Sequence, residues 1–186
     1  ADSLACLRIA KEHKAKTLGI VNVVGSSIAR EVDDVIYINA GVEIAVATTK
    51  AYLLQCFILS LIAIKLGIEK NTLDEQIIFD DMNKLPTLIR NTINNTSYKK
   101  IAKKIYKNED VFYLGRNIDY ATSMEGSLKL KEISYIHSEN YPAGELKHGT
   151  ISLIEENTPV ISVVTKEMIS EKTISNIKEV KARGAY

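Results

Sequence analysis

Glu125, Lys129 and Glu132 stand at i, i+4 and i+7, a spacing that puts two carboxylates and an amine on one face of a helix. Such a face admits two readings. One is an exposed ion-pair ladder, with Glu ahead of Lys in the orientation that stabilises a helix by about 0.2–0.5 kcal/mol. The other is a carboxylate base held beside an ammonium that tunes it, ready to carry a proton. Helical spacing does not separate them. The same question attaches to the surrounding stretch "LKLKEISYIHSENYPAGELKHG" (Leu128–Gly149), which holds two of the three histidines. It begins with helical periodicity and then reads as a Gly/Pro-broken loop. Pro142, Gly144 and Gly149 shape that loop and leave His148 beside the last glycine. Imidazole changes charge near neutral pH, so His148 is either a candidate acid or base or an ordinary exposed histidine.

Two further segments carry hydroxyls at helix starts. "GSS" (Gly25–Ser27) follows a strand and opens a helical turn, and "EIAVATTKA" (Glu43–Ala51) precedes a long helix. A helix start can hold an anion, but serine and threonine cap many helices without binding anything. No GxGxxG, phosphate-binding loop, HExxH or zinc-spaced Cys/His set occurs. Neither a metal nor another cofactor is therefore expected.

The elements that must position these residues follow from periodicity. Residues 2–13 read as an amphipathic helix, Thr17–Val24 as a buried β-branched strand, and Asp34–Asn39 as a second strand, with a helix start at Ser26 or Ser27 between them. Two buried strands joined by a short helical segment predict a parallel sheet. Thr48 or Thr49 is expected to cap a largely buried helix that runs to about Leu66 and stops at Gly67. Residues 71–107 are polar and helical in period and read as two bridging helices, with Pro86 marking a helix start. Strands at Val111–Arg116 and Pro159–Thr165, and helices at about 119–136 and 167–183, restart the α/β pattern. The fold class is α/β, with parallel sheets flanked by helices in two partial lobes.

The bulk properties exclude some functions. A net charge of +1 gives no bias toward nucleic acid or a membrane surface. The apolar run Ala51–Ile64 is broken by Gln55 and Ser60 and reads as a buried helix too short for a bilayer. Cys6 and Cys56 fit no metal or redox spacing and are expected to pack as small hydrophobes, consistent with a reducing, cytoplasmic setting. The chain starts without methionine, already in helical register, and ends soon after Gly184; both ends are expected to be cut from a longer polypeptide.

The segments "EGSLKLKEISYIHSENYPAGELKHG" and "NAGVEIAVATTKA" resemble the isomerase region of the glutamine–fructose-6-phosphate aminotransferase family, in matching order along nearly the whole chain. The resemblance implies two sugar-isomerase (SIS) domains, each a parallel sheet with ligands at the carboxyl ends of its strands. Residues 1–70 would be the later part of the first, 71–107 the bridging helices and 108–186 the early part of the second. It implies amination of fructose 6-phosphate followed by conversion of ketose to aldose, with glucosamine 6-phosphate as product. Glu132 would be the base that moves a proton between C1 and C2, sited in a cleft at the strand tips. His148 would open the sugar ring from a neighbouring subunit of a homodimer. Lys129 would tune Glu132 or a developing oxyanion, with Glu125 in support, and Val46 and Thr48 would line the sugar. A glutaminase domain of the parent chain would supply ammonia.

The sequence departs from the family at Ala45 and Thr48, where Gly and Ser are usual, and at Thr150, where Pro is usual. The family's phosphate loop and its C-terminal lysine tail would lie outside these residues, which makes "GSS" a structural turn and the isolated chain inactive. A related deglycase or phosphosugar isomerase, and a non-catalytic sugar-phosphate-binding module, are the alternatives.

Overall fold

The computed structural model describes residues 2–186 and divides into two compact units, Ala1–Ile93 and Asn94–Tyr186. In the first, α1 (Asp2–Glu12) is tied to α2 (Ser27–Glu31) by the Arg8 guanidinium, which donates to both carboxylate oxygens of Glu31 at 3.1 and 2.9 Å. Ser26 caps α2, its hydroxyl accepting from the Ala29 amide at 3.3 Å. β1 (Leu18–Val21) and β2 (Asp34–Tyr37) pair in parallel from Leu18↔Asp34 to Val21↔Tyr37. Asp33 fixes the entry to both strands by accepting from the Thr17 amide and hydroxyl at 2.8 and 2.7 Å. The strands are shorter than the β-branched runs predict: the chain bends at Asn22, and the ladder closes with the Ile38 amide bonded to the Val21 carbonyl at 3.0 Å.

α3 (Lys50–Glu69) corrects the sequence reading in four respects. It runs through Gly67 instead of stopping there. Thr49 at its start makes no side-chain capping bond; the Glu43 carboxylate accepts the Ala51 amide instead, at 3.0 Å. It is not buried: Leu53, Leu59 and Leu66 are exposed, and only 6% of its apolar span is enclosed. Nor is it short, since its 20 residues at a mean hydropathy of 2.0 are long and apolar enough to cross a membrane by length and composition. Apolar periodicity reports what a helix would bury, not which surface is there to cover it. α4 (Glu75–Ile93) contains Pro86 in its interior; its true cap is Asp74, whose carboxylate accepts from the Gln76 and Ile77 amides at 2.9 and 3.1 Å. Cys6 is exposed and Cys56 only partly buried, against the expectation for both.

In the second unit α5 (Ser97–Ile105) leads to β3 (Asp110–Gly115), α6 (Ile118–Ser134), β4 (His137–Pro142), β5 (Val160–Ser162) and α7 (Glu167–Lys181). The three strands are parallel, with β3 central between β4 and β5. β4 replaces a segment read as the end of a helix and a loop. Its sequence, HSENYP, is too polar to announce a strand, yet most of its polar side chains find partners, the buried Asn140 amide nitrogen being left without one among the described residues. Ser138 shares a 2.9 Å hydrogen bond with Ser127 on α6, His137 meets Asp110 at 2.6 Å, and the Tyr141 hydroxyl donates to Glu139. One sheet face packs on α6 and the other carries the core. That core joins Phe112 and Leu114 of β3 to Ala143, Leu146, Ile154, Val180 and Ala185.

Candidate active site

Small and polar residues let α6 lie close on the sheet. Ser123 and Ser127 are buried, and Gly126 sits against the Tyr113 ring, where a Cβ would fall 2.9 Å from the ring edge. Asp119, in the first turn, is buried and accepts from the Thr165 amide at 2.9 Å and from the Thr165 hydroxyl. Those bonds hold its carboxyl below the usual aspartate range, against the opposing effect of burial.

At about 100° per residue, Glu125, Lys129 and Glu132 fall on the side of α6 turned away from the sheet. The structure brings these three together. The Lys129 ammonium bonds the Glu132 carboxylate and lies 3.5 Å from that of Glu125. The side chains are 22, 19 and 28% exposed in chain order, so this is a half-sheltered cluster and not an open ladder. Hydrogen bonding to Glu132, with the charge of both carboxylates adding and partial burial opposing, holds the ammonium above the usual lysine range. One ammonium is thus held between two carboxylates.

His148 is not part of this cluster. It ends a 3₁₀ turn, Leu146–His148, is exposed, and its imidazole makes no hydrogen bond among the described residues. α6 starts beyond the carboxyl end of β3 and finishes just before β4 begins, so Glu132 lies toward the amino ends of these strands. A cleft at strand tips that included Glu132 would therefore not be formed by the carboxyl ends of its own sheet. His148 follows the opposite, carboxyl end of β4. The five steps of β4 span about 16 Å at roughly 3.3 Å per residue.

In the first unit Val46 is 95% exposed and Thr48 is exposed, on either side of buried Ala47. Thr48 lines a cavity of about 710 Å³ with Asn22 and Asn39, which follow β1 and β2, and with Glu43. This cavity does lie at the carboxyl ends of its strands. Three residues that sequence reasoning missed hold its wall. Asn22 donates to the Gly41 carbonyl at 2.7 Å and accepts from the Ala40 amide at 2.9 Å. Lys50 donates to the Val42 carbonyl at 2.7 Å, and Glu43 caps α3. A polar Asn22 interrupting the apolar run Thr17–Val24 was the available signal; Glu43 and Lys50 had none. Ser26 and Ser27 are spent on local bonds to Ala29 and Arg30.

A second cavity, of about 640 Å³, opens at the amino ends of β3 and β4 beside Asp110, His137 and Glu139. It contains none of the residues singled out above as site candidates. We place the candidate site on α6 and not there, because that cavity lacks an ammonium bound between two carboxylates.

Parallel strands separated by helices, with a cavity at the carboxyl ends of one pair, define the class of layered α/β domains. The chain belongs to the SIS domain family, whose profile matches residues 1–65 and 104–186. It is 51% identical, over its whole length, to glutamine–fructose-6-phosphate aminotransferase [isomerizing] of Caldanaerobacter subterraneus subsp. tengcongensis and of Clostridium tetani, and spans 31% of each. Among solved structures it is similar to the C-terminal domain of glucosamine-fructose-6-phosphate aminotransferase from Francisella tularensis. There the TM-score is 0.89 at 39% identity, covering 99% of this chain and 53% of that one. A glucosamine-6-phosphate deaminase from Thermotoga maritima shares the fold, with a TM-score of 0.77 at 24% identity over 98% of this chain and 54% of that one.

Proposed function

We propose that the chain is part of the isomerase region of an enzyme that joins glutamine-derived ammonia to fructose 6-phosphate and yields glucosamine 6-phosphate. The observation that carries this reading is the 51% identity, without a missing segment, to enzymes named for that reaction. Residues 1–70 are the later part of one SIS domain, 71–107 the bridging helices and 108–186 the early part of a second. The profile's gap at 66–103 supports that division.

Ketose becomes aldose when one proton leaves C1 and one arrives at C2. Glu132 carries that proton along one face of the intermediate, since a carboxylate both accepts and returns it. Lys129 stays charged beside it and stabilises negative charge developing on the sugar oxygen, with Glu125 steadying the ammonium. Val46, through its backbone, and Thr48 contact the sugar. His148 opens the ring, and it does so from a second copy in a homodimer. Its separation from Glu132 by the length of β4, and its lack of any bond within its own chain, support that assignment.

A glutaminase domain of the parent chain supplies ammonia, and the enzyme is cytoplasmic. α3 is a domain helix in this reading, supported by the superposition of the Francisella domain over 99% of the chain. Residues 1–186 alone form no glucosamine 6-phosphate and hydrolyse no glutamine. The test is exchange of the sugar C1 or C2 hydrogen with deuterated solvent, catalysed by the full-length protein. Exchange that falls at least about 100-fold in Glu132→Gln is the expected result; exchange indifferent to that substitution refutes the role of Glu132.

A further inference from the structure

Tyr135 closes α6 in the left-handed conformation, with φ 61° and ψ 8°, its amide donating to the Lys131 carbonyl at 3.1 Å. Glycine or asparagine takes such a position more cheaply, and a bulky residue there calls for a reason. The side chain, 92% exposed, packs on little among the described residues that would supply one. By helical projection it shares a stripe with Met124 and Leu128, 47 and 43% exposed, immediately beside the Glu125–Lys129–Glu132 face. Lys147 and His148 are also exposed, and neither side chain has a partner among the described residues. The Lys147 ammonium, without a partner, and a face of two carboxylates and one ammonium flanked by an uncovered aromatic ring are complementary in formal charge. In a two-fold dimer each copy can offer both halves.

We propose that Tyr135 is a positioning residue: its ring is the platform on which the second copy's Lys147 ammonium rests, setting that copy's His148 beside Glu132. This rests on the dimer reading above and adds the surface that makes the shared site. An ammonium over a tyrosine face is a directional contact, and the strained, helix-ending backbone at 135 points the ring outward without a flexible linker.

The test uses this chain with Cys6→Ser and Cys56→Ser. Chains carrying Tyr135→Cys, mixed with chains carrying Lys147→Cys, are expected to be linked into dimers by a short bismaleimide, whose span covers the distance that the two long side chains bridge in the parent and a direct disulfide could not. In the parent background, Tyr135→Gly raises the dimer Kd about tenfold by sedimentation, because the contact occurs twice per dimer, whereas Tyr135→Phe keeps it tight. Tyr135→Gly also raises the urea midpoint by relieving the left-handed tyrosine; a merely structural residue would show that effect alone. Lys147→Gln weakens the dimer to the same degree and adds nothing in the Tyr135→Gly background. An unchanged Kd in Tyr135→Gly, with Glu132→Cys and His148→Cys chains still cross-linking, overturns the platform and leaves the shared site standing. A monomer that cross-links through neither pair overturns both.

Discussion

Gly115 ends β3 where the chain turns into α6, and replacing it with alanine should unseat that helix. Its φ lies outside the left-handed region, so the cost is steric. A Cβ there would stand 2.5 Å from the Tyr120 amide nitrogen and would overlap the Asp119 carbonyl. Ordinary non-bonded contacts are about 3.5–4.0 Å, so the first turn of α6 must retreat by roughly 1 Å. Both obstacles are backbone and cannot rotate aside. The retreating turn also carries Asp119, which is anchored to Thr165. Overpacking of this kind costs about 1–3 kcal/mol, and weakening a charge-assisted bond adds about 1–2 kcal/mol. The expected loss is therefore about 2–5 kcal/mol, a large part of the roughly 5–15 kcal/mol that holds a domain folded. Gly126→Ala is the control. Its Cβ would meet only the edge of the Tyr113 side chain, at 2.9 Å, and the gain in helix propensity of about 1 kcal/mol offsets most of the crowding. Urea unfolding of the two variants, followed by circular dichroism, compares them directly. Equal losses, or a loss below about 1 kcal/mol for Gly115→Ala, would refute the claim that backbone approach at β3 sets the height of α6.

Asp119→Ala should cost about 2 kcal/mol at pH 7 in the same assay, through loss of its bonds to Thr165. The carboxyl is held below its ordinary value in the folded state, so its contribution is full above about pH 4 and fades as pH falls through the folded value. The gap between variant and parent should accordingly close in acid. Ser127→Ala strands the Ser138 hydroxyl, 1% exposed, and should cost about 1–2 kcal/mol; adding Ser138→Ala should recover part of the loss, read from the same urea midpoints.

Parallel α/β organisation was legible because β1, β3 and β5 lie in β-branched or apolar runs that local physics marks as strands. β4 was not, because an edge strand whose serine, glutamate and tyrosine find specific partners carries no apolar pattern. Helix ends divided by the same logic. Ser26 caps α2 through a local bond that sequence can anticipate, whereas α3 is capped from Glu43, eight residues from the Ala51 amide it accepts. The cluster on α6 was visible as spacing, but its shelter was not, since that depends on what surrounds the helix. The separation of His148 from Glu132 appeared only when β4 was seen to lie between them.

The two units hold their apolar surface differently, and heat should tell them apart. The second encloses Phe112, Leu114, Leu146 and Ile154 in one packed cluster, whereas most of α3 already faces solvent in the first. Heat capacity on unfolding follows newly wetted apolar area, so the first unit acquires little of it and melts over a broad, shallow range. The second unit carries the steep temperature dependence of the chain, and any surface that came to cover α3 would sharpen the melting of the first.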